Sequence, residues 1–438
     1  MLGAMRALRL LFAALLTVWV AGCGGASTGS SSGTSSGGGT SGSTAASSST
    51  GSSASSGSAT SGSSTSSSSS SGATSSGSGS GGGSTSGASN LWVTGYYVGW
   101  ESQAYPVAEV DFAAMTHVVI GPVLPNPDGS LDTTFSIDAT HGPQWAQSAS
   151  QAARAAGDHV LLWVGGADSA SAFEGATSPG HLAAFVQNLI AAMSAYGAEG
   201  VDLDWEPISS NDEAAFTSLL EALRQAAPDA TLTIPVGALN LNIDEVDAFY
   251  VTASGLVDQM NIMSYGVSGA WPGWQSWHSS PLSGETGSTP VSIESSVQAY
   301  LAAGVPASKL GIGVGFYGLC YTPPVTGPNQ ALGGSTIVAS DGDMSYANIM
   351  SSYYDVSAAR WDATAEAPYL SFASGTGPAG CSFISYDDAQ SIAAKAQYVK
   401  ANGLGGTIVW EIAEGYLASQ PAGQRDPLME ALRTSFRQ

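Results

Sequence analysis

The chain has 438 residues, of which 43% are hydrophobic, and its formal net charge is −23. All 34 acidic residues lie after Ser89, together with nine of the 11 basic ones, so the region after the amino-terminal segment is strongly acidic. Such a surface repels nucleic acid phosphates and anionic lipid headgroups, which excludes a nucleic acid partner and favours a neutral ligand such as a polysaccharide.

The amino terminus has the pattern of an export signal. Two arginines precede the apolar run LLFAALLTVWV, which is too short to span a bilayer as a helix of about 20 residues. The run leads into Val-Ala-Gly-Cys23, which resembles the bacterial lipobox, where cleavage precedes a lipid-bearing cysteine. The resemblance implies a signal peptide over residues 1–22 and a lipid on Cys23. We therefore expect an exported protein anchored to the outer membrane, with its folded part in the periplasm or outside the cell. An ordinary secretory signal with an incidental cysteine is the alternative.

Residues 23–89 follow as the lipidated cysteine and a linker. The linker consists almost entirely of Ser, Gly, Thr and Ala. These side chains cannot offset the entropy of ordering, so we expect a flexible coil with a reach of about 45 Å. The linker would hold the folded region away from the membrane headgroups.

The remaining cysteines form one candidate pair. With Cys23 assigned to the lipid, only Cys320 and Cys381 remain for an oxidising compartment. We predict a disulfide between them, and two free buried cysteines are the alternative.

Residues 90–438 read as a single catalytic region in which strands and helices alternate. Between the third and fourth apolar runs, hydrophobic residues recur at helical spacing. Eight strands separated by helices predict a closed parallel (β/α)8 TIM barrel, with its active site at the carboxyl ends of the strands. An open doubly wound sheet is disfavoured, because no Gly-x-Gly-x-x-Gly turn follows the first strand. We expect a monomer. The eight runs are WVTGYYVGW, THVVIGPVL, HVLLWVGG, GVDLDWEP, TLTIPVG, QMNIMSYG, KLGIGVGFYG and GTIVWEI.

One long segment interrupts the alternation after the seventh strand. Residues 319–402 contain their own Tyr, Trp and Phe residues, which predicts a small α+β insertion beside the mouth of the barrel. A Cys320–Cys381 bridge would join the two sides of this insertion near its base.

The fourth run carries three carboxylates at every second position. Side chains alternate along a strand, so Asp202, Asp204 and Glu206 point the same way, into the barrel. Three buried acids cost several kcal/mol unless they share protons or accept hydrogen bonds, which indicates a function rather than a stabilising role. A metal site or a solvent-facing strand is the alternative, but metal sites favour interleaved histidines. We predict that Glu206 is a general acid, and we expect no metal or organic cofactor.

These residues also carry a family resemblance. Residues 199–206, EGVDLDWE, resemble the Asp-Gly-x-Asp-x-Asp-x-Glu signature of glycoside hydrolase family 18. The first, sixth, seventh and eighth strands resemble that family in GYYVGW, NIMSYG, GVPASKLGIGVGFYG and GLGGTIVWEI. Two further segments, ARWDATAEAPYL and FISYDDAQSIAAKAQYVKANG, resemble the chitinase insertion domain and the helix after it.

The resemblance implies a substrate-assisted, retaining hydrolysis of chitin or another N-acetylglucosamine glycan, in which no second carboxylate is needed. Glu206 is then acid and base, Asp204 orients the acetamido nitrogen, and Asp202 tunes Asp204. The resemblance further implies that Tyr265 bonds the acetamido oxygen. The implied substrate-binding residues are Tyr96, Met263, Tyr317 and Trp410, and Trp274 is a further candidate from its place in the loop after the sixth strand.

The chain departs from the family pattern at several positions. Glu199 replaces the first aspartate of the signature, and Trp163 stands where the third strand usually has a serine. We expect these changes to alter proton control and substrate contacts. The other departures are Ala167, Pro207, Gly266 and Leu319. Two roles are possible for the tryptophans in the loop after the sixth strand, stacking on sugar rings and packing within the loop. These residues are Trp271, Trp274 and Trp277.

Other functions remain as alternatives to hydrolysis of chitin or chitooligosaccharides. One is an endo-acting enzyme on N-glycans, and another is a lectin that has lost turnover. The presence of Glu206 argues against the lectin. A purely structural surface lipoprotein would leave three aligned inward carboxylates without a purpose.

Overall fold

The structure is a computed structural model that describes residues 91–241 and 246–438. The predicted signal peptide, Cys23 and the linker lie outside these residues. In the described ranges, no helix combines the length and hydrophobicity needed to cross a membrane.

Strands and helices alternate along the described residues as the sequence predicts. The strands are β1 (Trp92–Val98), β2 (His117–Pro125), β3 (Leu131–Asp132), β4 (His159–Gly166), β5 (Gly200–Trp205), β6 (Thr231–Gly237), β7 (Gln259–Met263), β8 (Leu310–Gly315), β9 (Leu319–Tyr321), β10 (Ile337–Val338), β11 (Ala359–Asp362), β12 (Ala367–Thr376), β13 (Cys381–Ser385) and β14 (Gly406–Trp410). The α-helices are α1 (His141–Ala156), α2 (Ala170–Ala176), α3 (Leu182–Tyr196), α4 (Glu213–Ala226), α5 (Ala248–Ser254), α6 (Ile293–Ala303), α7 (Tyr346–Ser352), α8 (Ala389–Ala401) and α9 (Pro427–Phe436).

Eight parallel strands form a closed barrel. Their order is β1-β14-β8-β7-β6-β5-β4-β2, and β2 pairs with β1 to complete the ring. The first strand is therefore bonded on both sides, with Thr94 opposite Ile408 on β14 and Tyr96 opposite Val119 on β2. This closure confirms the predicted TIM barrel and rules out the open doubly wound sheet.

The alternation of side chains along each strand divides the core into two regions. On β4, Leu162 and Val164 belong to the large cluster between strands and helices, whereas Leu161 and Trp163 belong to a smaller cluster inside the barrel. Both faces of the strand are buried, which is why its sequence is an almost continuous apolar run. The predicted helical stripe is also present, because α3 buries Phe185 and Leu189 against the outer cluster.

The insertion after the seventh barrel strand, β8, contains an antiparallel sheet with the order β10-β9-β13-β12-β11. Cys320 on β9 and Cys381 on β13 form a disulfide with Cα atoms 5.5 Å apart, as predicted. The five strands and α7 lie within the predicted 319–402 range, and α8, which ends that range, packs on the carboxyl-terminal helix α9. The outer boundaries of the insertion stay a prediction.

Candidate active site

Strand β5 carries two of the predicted carboxylates into the barrel. Asp202 is fully buried and Asp204 is 6% exposed, while Trp205 points outward and stacks on Phe173 with ring centroids 4.9 Å apart. Glu206 follows the last residue of the strand and is only partly buried. The strand therefore ends at the barrel mouth with Glu206 nearest to solvent, as the two-residue period requires.

Asp202 is held by hydroxyl groups from two other strands. Tyr96 Oη donates to Oδ2 at 2.7 Å, and Thr233 Oγ1 donates to Oδ1 at 2.5 Å. Burial raises the pKa of Asp202 to about 7, although both hydrogen bonds act to lower it. Asp202 can therefore exchange a proton near neutral pH. Thr233 was not among the residues predicted from the sequence, although the alternation of side chains along TLTIPVG could have placed it inside the barrel.

Only one of the two carboxylate oxygens of Asp204 accepts a hydrogen bond from the described residues. Trp163 Nε1 donates to Oδ2 at 3.0 Å, while the buried Oδ1 has no hydrogen-bond partner within the described residues. Burial raises the pKa of Asp204 well above its usual value, and the charges of Glu206 and Asp202 raise it further. A buried acceptor that lacks a hydrogen bond costs free energy, so Oδ1 is suited to accept a hydrogen bond from a ligand.

Glu206 has the electrostatic setting of a general acid. Burial raises its pKa to about 7, with Asp168 and Asp202 adding to the shift. Its backbone N–H donates to Ser169 Oγ at 3.2 Å, and that hydroxyl donates to the Asp204 carbonyl at 3.1 Å. Ser169 thus fixes the backbone between the two acids. Its position just before α2 gave no signal in the sequence.

Aromatic rings line the mouth of the barrel beside the acids. The ring of Trp410, the last residue of β14, lies 5.3 Å from that of Tyr96 and 5.1 Å from that of Trp163. Trp100 contacts the rings of both tryptophans, and Met263 lies at the edge of the same cluster. Trp410 is half-buried, and its Nε1 donates to Asp341 Oδ2 at 3.0 Å. The structure therefore brings together the predicted Tyr96, Met263 and Trp410.

Tyr265 and Tyr317 form a second aromatic pair at the mouth. Their ring centroids are 6.0 Å apart in an edge-to-face arrangement. Burial raises the pKa of Tyr265 well above its usual value, with contributions from Tyr317 and Asp204, so its phenol remains a hydrogen-bond donor. Gly266, which follows Tyr265 in the chain, has φ +61°, and a Cβ there would lie 2.7 Å from Tyr317 Oη. The positive φ and the close approach of Tyr317 both favour glycine at this position, where the chain departs from the family pattern.

The three tryptophans of the loop after β7 have different surroundings. Trp277 is 1% exposed and donates to the Val291 carbonyl at 2.8 Å, which makes it a packing residue and excludes stacking on a sugar. Trp271 and Trp274 are half-buried and contact each other edge-to-face at 4.4 Å. The ring contacts described do not connect Trp274 with Trp410 or Tyr265, so its role in substrate binding stays a prediction.

Two of the departures lie away from the acids. Glu199 is at the opposite end of β5, where its Oε2 contacts His159 Nδ1 at 2.5 Å. Leu319 is fully buried in the core of the insertion together with Tyr321 and Phe383. Neither side chain contacts the three carboxylates.

Known proteins with a similar sequence or structure identify the family. The family model of the Glycosyl hydrolases family 18 matches residues 93–415. Chitinase A1 of Niallia circulans is 31% identical over 262 residues, which cover 52% of this chain and 36% of that protein. The Class V chitinase of Arabidopsis thaliana is 26% identical over 332 residues, which cover 70% of this chain and 82% of that protein.

Among solved structures, the Ostrinia furnacalis Group IV chitinase in complex with allosamidin matches with a TM-score of 0.65 and 24% identity. The match covers 78% of this chain and 98% of that one, and it supports the barrel fold. The family match spans both the carboxylate strand and the aromatic mouth described above, and it confirms the predicted glycosidase class at the level of the family. The chain therefore belongs to the glycosyl hydrolases of family 18.

Proposed function

We propose that the protein hydrolyses β-1,4-linked N-acetylglucosamine polymers, chitin or chitooligosaccharides, by a substrate-assisted retaining mechanism. The observation that carries the proposal is the unpartnered buried Oδ1 of Asp204 beside Glu206, whose pKa is about 7. One group can accept a hydrogen bond from a ligand amide, and the other can donate a proton to a leaving oxygen.

In the first step, Glu206 donates its proton to the glycosidic oxygen as the bond to the anomeric carbon breaks. The carbonyl oxygen of the substrate's own 2-acetamido group attacks that carbon and forms an oxazolinium ion. Asp204 Oδ1 accepts the acetamido N–H, and the carboxylate stabilises the positive charge that develops there. Asp202, held by Tyr96 and Thr233, acts on Asp204 through its charge, which raises the pKa of Asp204.

In the second step, the Glu206 carboxylate removes a proton from water. The water oxygen attacks the anomeric carbon, the acetamide is restored, and the configuration is retained. We assign the Tyr265 phenol as donor to the acetamido oxygen and Trp410 as the surface on which the sugar ring rests. The half-buried indole of Trp410 and the neutral phenol of Tyr265 support these two assignments.

The proposal is tested by replacing the acid while keeping its shape. Glu206→Gln should abolish release of a reporter from a chitobioside and leave oligosaccharide binding intact, because the amide cannot donate the proton but occupies the same volume. Glu199→Gln is a matched control, since Glu199 lies at the opposite end of the same strand. Undiminished turnover by the Glu206 variant contradicts the proposal.

Two further measurements separate the alternatives. A thiazoline analogue of the oxazolinium ion should inhibit strongly if the acetamido group is the nucleophile, and no inhibition would indicate another mechanism. A product profile on colloidal chitin, chitooligosaccharides and an N-glycoprotein distinguishes a chitinase from an endo-acting enzyme on N-glycans. Binding without any product would identify a lectin.

We also propose that the protein is exported and anchored by a lipid on Cys23. The support is the apolar run followed by Val-Ala-Gly-Cys23 and the long Ser/Gly-rich linker. In a Gram-negative bacterial host, the full chain should label with a fatty acid and sediment with outer membranes. Cys23→Ser should lose the label and the membrane association, and a variant that keeps both would overturn the assignment.

A further inference from the structure

We infer that the insertion and helix α8 fix the position of Tyr265, and that Ser279 and Ser280 are the positioning residues through which they act. We call residues 278–280, His278-Ser279-Ser280, the clamp segment. The inference rests on the role given to Tyr265 in the proposed function.

The clamp segment bonds the backbone on both sides of Tyr265. Ser280 Oγ donates to the Ser264 carbonyl at 2.5 Å, which fixes the peptide before the tyrosine. The Gly266 N–H donates to Ser279 Oγ at 3.3 Å, and the next N–H, of Val267, donates to the Ser279 carbonyl at 3.0 Å. The peptides that flank Tyr265 therefore depend on two consecutive serines.

Strand β8 supports the ring of Tyr265 from another direction. A Cβ at Gly313 would lie 2.7 Å from Tyr265 Cδ1, and one at Gly315 would lie 3.0 Å from Tyr265 Cβ. The ring rests directly on the strand backbone, which leaves little room for movement toward the barrel wall. The direction of the phenol is then set by the flanking peptides that the clamp segment holds.

Helix α8 holds Ser280 through a buried ion pair. Lys395 Nζ donates to Ser280 Oγ at 2.6 Å and to the two carboxylate oxygens of Asp387 at 2.7 and 2.6 Å. The side chains of Lys395 and Asp387 are fully buried or nearly so. Burying such a pair has a large desolvation cost, so its value lies in fixing one geometry more than in stabilising the fold.

The sheet of the insertion holds the other end of the clamp segment. His278 Nδ1 contacts Ser385 Oγ on β13 at 3.0 Å, and Nε2 contacts Asp362 Oδ2 on β11 at 3.1 Å. Ser385 Oγ also accepts the Ser279 N–H at 3.1 Å. The arrangement fits a neutral ring whose Nε2–H donates to Asp362 and whose Nδ1 accepts from Ser385. Two strands of the insertion are thereby tied to the segment that positions Tyr265.

The consequence for catalysis follows from the precision that the reaction needs. A donor to the acetamido oxygen acts only if it lies within hydrogen-bond distance in the transition state, and a displacement of about 1 Å can cost about 100-fold in rate. The insertion therefore contributes to the reaction itself by holding Tyr265, apart from any role in shaping the groove.

A double-mutant cycle tests this inference with a chitooligosaccharide reporter. Ser280→Ala should lower kcat about 10-fold or more and weaken binding of a thiazoline inhibitor, because the Ser264 carbonyl, in the peptide before Tyr265, loses its hydrogen-bond donor. In a Tyr265→Phe background, the same change should alter kcat by less than about 2-fold, since the group it positions is already gone. Ser276→Ala is the matched control and should stay within about 2-fold of the unchanged protein. Ser276 is a buried serine of the same loop whose partners are Gly327 and Gln330.

The outcomes separate the inference from the proposed function. If Ser280→Ala lowers kcat equally in the wild-type and Tyr265→Phe backgrounds, the inference is overturned and the proposed function stands. A Tyr265→Phe protein with undiminished turnover overturns the inference and the role given to Tyr265, and it leaves the proposed hydrolysis standing. A wild-type protein without turnover on any N-acetylglucosamine oligomer overturns both. If Ser280→Ala does not fold, Ser279→Ala takes its place in the cycle, because it removes the acceptor of the Gly266 N–H and leaves Lys395 with its partners.

Discussion

Trp163 lies directly beside Asp202 in the register of β4 with β5, yet its indole N–H donates to Asp204, two residues further along the strand. The indole therefore reaches along the strand toward the mouth and supplies one donor to Asp204. Space for the ring comes from glycines, since a Cβ at Gly121 would lie 2.9 Å from Trp163 Cε3 and one at Gly166 would lie 2.7 Å from Trp163 Cζ2. Trp163, which stands at the position of the family serine, thus donates to Asp204 and not to its register neighbour Asp202.

Trp163→Phe should lower kcat/KM about 10- to 100-fold, because it removes the hydrogen bond to the buried Oδ2 of Asp204 while keeping an aromatic ring. That bond acts to lower the pKa of Asp204, so its loss should raise this pKa and move the acidic limb of the pH profile to higher pH. Steady-state kinetics from acidic to alkaline pH measure both effects. Trp100→Phe, which alters a ring that contacts Trp163, is the control and should leave the acidic limb in place. An acidic limb that does not move in Trp163→Phe would refute the role of this hydrogen bond.

Turnover should decline as the pH rises through about 7, because Glu206 must be protonated to act as an acid and its pKa is about 7. Asp168 contributes to this raised value, so Asp168→Asn should move the alkaline limb to lower pH. Asparagine tolerates the φ of +63° at this position, which limits other effects of the change. Asp128→Asn, at an exposed turn, is the control and should leave the profile unchanged. A shift to higher pH in the Asp168 variant would contradict the prediction.

Asp202 should make the fold less stable as the pH rises. The pKa of an aspartate in an unfolded chain is about 4, whereas that of Asp202 in the fold is about 7, so the folded state binds more protons between these values. Its contribution is complete below about pH 4 and is lost by about pH 7, a change on the order of 4 kcal/mol. Asp202→Asn should remove this share of the pH dependence, which urea unfolding at several pH values across this window would detect. The same dependence in both proteins would show that Asp202 does not hold its proton on folding.

Loss of the disulfide should destabilise the protein by about 4 kcal/mol, from the entropy of closing a long loop in the unfolded chain. Cys320 and Cys381 are 61 residues apart in sequence, and both are fully buried. The double variant Cys320→Ala/Cys381→Ala should unfold at lower temperature than the oxidised protein, and reductant should affect only the latter. The wild-type protein would be treated with reductant under denaturing conditions, which expose the disulfide. An unchanged unfolding temperature after this treatment would count against a stabilising disulfide.

Much of the fold could be predicted from local patterns. The alternation of apolar runs with helical stripes predicted eight barrel strands, and the two-residue period placed Asp202 and Asp204 inside the barrel. These properties depend on residues close together in sequence, and each strand repeats the same physical constraint. The cysteine pair was predicted because few alternatives existed, and the structure confirms it.

The partners of the acids could not be predicted in this way. Thr233 and Trp163 reach Asp202 and Asp204 from different strands, and which donor meets which oxygen depends on the stagger of the strands and the length of each side chain. The same limit explains Trp277, whose spacing in the loop suited sugar stacking equally well but whose side chain is buried.

Consecutive residues were enough to indicate the family, the barrel and the strand that carries Asp202, Asp204 and Glu206, because alternation and short motifs are local properties of a chain. The folded arrangement was needed to find that one oxygen of Asp204 is left for a ligand and that the insertion reaches Tyr265 through Ser279 and Ser280. Those relationships join side chains far apart in the chain, and their geometry exists only once the barrel has closed and the insertion has packed against it.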